Sequence, residues 1–135
     1  MNGSSHQLRR VGLLKSFIAN NKLLVALLFS ITGNIIAWFH MNAQFRWEWA
    51  RSQWWILLLG IPISYLFYYS TRMFYEHFGQ YWTVRPIGFG VATLTFGILT
   101  AVFLKELPSF KIWISLILAV VIILLNVSNT IDKVN

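Results

Sequence analysis

Cysteine is absent from the 135 residues, so there is no disulfide, no thiolate metal ligand and no cysteine nucleophile. Acids are nearly as scarce. The four present are Glu48, Glu76, Glu106 and Asp132, and none lies inside a long apolar run. No two carboxylates share such a run, which removes the paired acids of general acid–base chemistry. His6, His40 and His77 stand too far apart for metal-ligand spacing. Gly88-Phe89-Gly90 lacks the preceding strand and the following lysine of a phosphate loop. No small-residue cleavage site follows the first apolar run, so no cleavable leader is expected. With these absences, no enzyme activity, no metal and no cofactor is expected.

Apolar side chains are abundant instead. At 57% hydrophobic, 11% charged and a mean hydropathy of +0.61, the chain is too apolar for a soluble domain. The net charge of +7 does not point to nucleic acid, because the 11 Lys and Arg sit at the ends of apolar runs and form no cluster. The expected partner is a lipid bilayer of bacterial inner-membrane type. The fold class expected is an all-α membrane protein, a bundle of four transmembrane helices at about 22–45, 52–71, 86–104 and 110–129. Residues 1–21 form a flexible or amphipathic lead. There Leu8, Val11, Leu14, Phe17 and Ile18 fall at helical spacing between Arg9, Arg10 and Lys15, which suits an anionic inner leaflet or a frayed leader. Residues 132–135 read as a tail.

The third apolar run organises the rest. Pro86 to Leu104 holds 19 uncharged residues, and at ~1.5 Å per residue it reaches about 28 Å, close to the ~30 Å hydrocarbon layer. Thr93, Gly97 and Ala101 recur every four residues and give one slim packing face. On that face Gly97→Leu is expected to overfill the contact. Gly88 and Gly90, just after Pro86, suggest a hinge, with Gly90→Ala expected to slow movement and spare the fold. In the second run Gly60 and Pro62 suggest a kink. The aromatic-rich stretch from Arg72 to Arg85 reads as a loop of about a dozen residues joining the second and third runs.

Polar or aromatic groups at membrane depth are the candidates for contacting a substrate: Asn34, Ser64, Tyr65, Trp82 and Arg85. Each has a plainer alternative. Asn34 suits an interhelical hydrogen bond, Tyr65 a core aromatic, and Arg85 a side chain snorkelling to the headgroups. Charge asymmetry sets the expected orientation. With both termini inside, the inner segments carry Arg9, Arg10, Lys15, Lys22, Arg72, Arg85 and Lys133, against Arg46, Arg51, Lys105 and Lys111 outside.

Four short runs joined by tight loops, with Gly88-x-Gly90, then Val102, Phe103, Leu104, Lys105, Glu106, Pro108 and the apolar run Leu116–Val127, carry a resemblance. The pattern resembles the drug/metabolite transporter (DMT) superfamily, in particular its four-helix branch of small multidrug resistance proteins. The WWILLLGIPIS segment from Trp54 fits the second helix, and the likeness covers residues 22–128. The resemblance implies a transporter that moves a small metabolite or lipid-linked group by alternating access. It also implies a path formed by two chains, identical or paralogous. The family's helix-one glutamate falls near Ser30, where no acid stands, so proton coupling through that residue is not implied. The family's aromatic two residues before G-x-G is Pro86 here, with Trp82 one turn back. A non-transporting membrane subunit that supports a partner or an assembly is the alternative.

Overall fold

The computed structural model describes residues 3–131, so the expected tail at 132–135 lies outside the described residues. Five α-helices follow in order: α1 Gly3–Asn20, α2 Lys22–Asn42, α3 Gln53–Phe78, α4 Tyr81–Leu99 and α5 Phe110–Ile131. Two short 3-10 turns, Ala43–Phe45 and Glu48–Arg51, join α2 to α3, and a π-helical turn, Thr100–Leu104, ends α4. Among the described residues there is no strand. The lead is thus helical over Gly3–Asn20 and meets α2 at Asn21, whose side-chain amide donates to the Phe17 carbonyl at 3.1 Å.

Three stretches have the length and apolarity to cross a membrane: Lys22–Phe45, Tyr81–Leu104 and Phe110–Ser128. Helix α3 is longer than any of them at 26 residues, yet its tyrosines, Ser64, Arg72 and Glu76 dilute its hydropathy. In packing order the helices run α3, α2, α4, α5, with α3 also touching α4 near their junction. At the α2–α3 contact Gly33 is buried. A methyl group there would lie 3.1 Å from Phe67 Cε1, so the missing side chain sets how closely the two helices approach.

The expected loop over 72–85 is mostly helix. Helix α3 continues to Phe78 and α4 begins at Tyr81, leaving only Gly79 and Gln80 between them. Helix survives here because Ser70, Phe74 and Phe78, four residues apart, continue one buried face past the end of the apolar run. Gly79 then closes the helix at φ +69°, a left-handed value that glycine adopts without strain, and its N–H donates to the Tyr75 carbonyl at 2.8 Å. Pro86 therefore lies inside α4 and leaves the Trp82 carbonyl without its helical donor.

The hydrophobic core sits at this end of the bundle. Ala26, Phe74, Phe78, Val84, Ile87 and Val91 are buried together, and Ile123 and Val127 of α5 pack onto them. The opposite end is held differently, by a run of aromatic contacts. Phe39 meets Trp38, Trp47 and Phe103 edge-on or stacked at 4.8 to 6.4 Å between ring centroids.

Candidate functional site

A chain of hollows runs along one side of α4, between it and α2 and α3. The hollow nearest the core end, about 340 Å³, takes Ser30 and Asn34 from α2, Ser70 and Thr71 from α3, and Tyr81 and Arg85 from α4. It opens into a wider one of about 580 Å³ between α3 and α4, where Ser64, Thr71 and Arg72 face Tyr81 and Arg85. In the other direction Asn34, Phe89 and Ala92 are shared with an apolar hollow of about 320 Å³. Asn42 and Phe96 connect that one to a fourth hollow of about 640 Å³ beside the π-turn. Together they make a furrow along most of the length of α4.

Helix geometry explains which residues line it. Tyr81, Arg85, Gly88 and Ala92 are three or four apart, so they share one face of α4, and a methyl at Gly88 would meet nothing within 4 Å. The Tyr81 hydroxyl accepts from Arg85 Nε at 2.6 Å, and the guanidinium lies over the Tyr81 ring at 5.4 Å. Among the described residues no carboxylate lies within ion-pair distance of Arg85. The guanidinium is held by a neutral partner and keeps donors for an anion.

Two other basic residues, Lys22 and Arg72, are committed. Glu76 binds Lys22 at 3.1 Å and Arg72 at 3.0 Å, tying the start of α2 to the end of α3. The hydrogen bond from Arg72, and then that from Lys22, hold the Glu76 carboxyl below the usual carboxylate range.

The sequence-predicted residues divide. Asn34 and Arg85 line the same hollow, and Ser64 shares the adjoining one with Arg85. Asn34 donates to the Ser30 carbonyl at 2.8 Å, and Ser64 to the Gly60 carbonyl at 2.8 Å, each within its own helix. Tyr65 is 63% exposed and Trp82 is 87% exposed. Each stands one residue, about 100° of helix, beyond a furrow-lining neighbour. Neither enters the hollow that holds Asn34 and Arg85.

Of the slim residues, Thr93 faces the apolar hollow beside α2, and its hydroxyl donates to the Phe89 carbonyl at 2.9 Å. Ala101 falls in the π-turn. The glycines that meet α5 are Gly97, against Leu116, and Gly90, against Ala119 and Ile123. A methyl on Gly90 would lie 2.6 Å from Ile123 Cγ1 and 3.0 Å from the Ala119 carbonyl oxygen. A silent Gly90→Ala hinge variant is therefore not what this packing allows.

Sequence reasoning missed Tyr81, Ser30, Ser70 and Thr71. Tyr81 was hidden inside the presumed loop, although its i,i+4 spacing to Arg85 was visible. Ser70 is buried with its hydroxyl donating to the Ala26 carbonyl at 2.9 Å, which pins α3 to α2. Among the described residues no group of three His, Asp or Glu could hold a metal ion. Comparison with protein-family models, curated proteins and solved structures finds no match in any of the three.

Proposed function

We propose that the chain is a small, non-enzymatic, multi-pass membrane transporter whose furrow passes a small metabolite or lipid-linked group by alternating access, as a dimer of identical or paralogous chains. The apolar run at about 52–71, most of α3, is then a fourth crossing that ends before Arg72 and Glu76, and both termini face the cytoplasm. The observation that carries the reading is the furrow's composition. Arg85, Tyr81, Asn34, Ser70 and Thr71 gather polar groups at one end, and the slot beyond them is apolar. A cation without an acid partner beside a membrane-depth slot suits a ligand with an anionic end and a greasy remainder.

The cysteine-free chain gives a direct test. Gly88→Cys places one thiol in the furrow where nothing crowds it. In oriented vesicles it should react with a membrane-impermeant maleimide added from either side. Reaction from one side only, or from neither, removes alternating access.

A non-transporting membrane subunit is the second reading. The observation that favours it is the self-sufficiency of Asn34 and Ser64, both bonded to carbonyls of their own helices. That bonding is how polar side chains are satisfied without a ligand.

A further inference from the structure

The far end of the furrow is built as a second site. Here α4 loosens into the π-turn Thr100–Leu104 and stops at Lys105, a non-glycine residue at φ +57°. The wide turn is pinned from α2 by Trp38, whose Nε1 donates to Thr100 Oγ1 at 3.1 Å, while the Trp38 ring packs on Phe103 at 5.7 Å. Beside it lies the 640 Å³ hollow, with Phe96, Phe103 and Leu107 as apolar lining and Arg46, Lys105 and Glu106 at its charged rim. Among the described residues neither Arg46 nor Lys105 forms an ion pair, so neither is neutralised by Glu106 or any other acid.

Two features identify what this rim would hold. From Arg85 to Lys105 is twenty residues of mostly helical chain, about 30 Å, which matches the hydrocarbon thickness. Cations therefore stand at both headgroup levels of the furrow, and no charged residue lies between them on α4. The apolar lining directly under the cations decides between a lipid and a free ion. A hydrated phosphate gains nothing from Phe96 and Leu107, whereas a lipid buries its first chain segments there.

We infer that Arg46 and Lys105 bind the phosphate head of a membrane lipid, so that the furrow has a headgroup station at each end and its substrate class is a phosphate-headed lipid. This rests on the transport reading for its second half: the Arg85 end is the other station. The far-end site is supported by its own residues.

The test counts bound lipid on the full chain in detergent, with phosphatidylglycerol as probe and native mass spectrometry as readout. Two tightly held molecules per chain are expected. Arg46→Ala with Lys105→Ala should remove one and weaken its apparent affinity about tenfold or more, the loss of charge-assisted contacts to phosphate. Arg46→Lys with Lys105→Arg should restore it. Arg85→Ala should remove the other molecule and leave the far-end one in place. If the double alanine variant, melting as the parent does, keeps the same lipid count, the far-end site is overturned and lipid contact there is annular only. Competition by glycerol phosphate without acyl chains, at the concentration at which the lipid binds, overturns the choice of a lipid over a free ion. If only Arg85→Ala is without effect, the far-end site stands and the two-station furrow falls.

Discussion

Glu76 shows how little electrostatics this chain spends and where. Its carboxylate is one of four acids, and it holds two cations from two helices. Its folded pKa is depressed, so its contribution to stability is fully present above the unfolded carboxylate value of about 4.3. That contribution fades as the pH falls through the lower folded value. The difference in melting temperature between the parent and Glu76→Gln in detergent should therefore be largest at neutral pH and close toward zero below about pH 4. A constant difference across that range would show that Glu76 acts through packing and not charge. All three side chains are more than a third exposed, so the effect at any pH is modest and shrinks in salt.

Helices α4 and α5 meet through glycine, and here two positions that look alike in sequence part company. The methyl added at Gly97 would strike Leu116 Cδ2 at 2.7 Å, the far end of a flexible side chain that can rotate away. At Gly90 the obstruction includes the Ala119 carbonyl oxygen, which moves only with its helix. Gly90→Ala should accordingly cost about 1–3 kcal/mol, and Gly97→Ala less than about 1, read as thermal unfolding in detergent. Equal losses for the two variants would mean that α5 shifts as a unit to accommodate either. The sequence made the need for a slim α4 legible, and it placed Gly97 on that face. Gly90 lies seven residues earlier, about 20° away on the same face, but spacing alone does not show that its neighbours there include backbone and not only a flexible side chain.

The ends of elements were less legible than their middles for a related reason. Charge and aromatics between Arg72 and Arg85 look like a membrane exit, yet Phe74 and Phe78 extend the buried face of Ser70 by two further steps of four. Gly79 was the available stop signal. Once α4 is taken to begin at Tyr81, its own wall of the core-end hollow follows from spacing. Tyr81, Arg85, Gly88 and Ala92 fall on one face, and Trp82 must point elsewhere. Tyr65, one residue beyond Ser64, is turned from the Arg85 hollow in the same way and lines a separate one with Ser64.

For the whole molecule, the orientation proposed from charge rests on the lead. The seven basic residues assigned inside exceed the four outside only because of Arg9, Arg10, Lys15 and Lys22. Replacing Arg9, Arg10 and Lys15 by Gln leaves four against four and spares the Lys22–Glu76 pair. Reporters fused to either terminus should place the parent's ends in the cytoplasm and the variant's in both compartments. A parent whose ends already lie outside would reverse every assignment of inner and outer made from charge.

The core at one end and the roomy hollow at the other make the pair α4–α5 a lever with its pivot off centre. Swinging that pair by about 10° around the Ile87 and Phe74 contacts would carry the π-turn through about 4 Å across an arm of about 22 Å. The clamped end would scarcely stir. Movement of this kind leaves the core contacts in place and gives up the Trp38–Thr100 hydrogen bond and the aromatic edges around Phe103, so the far mouth is the easier of the two to open.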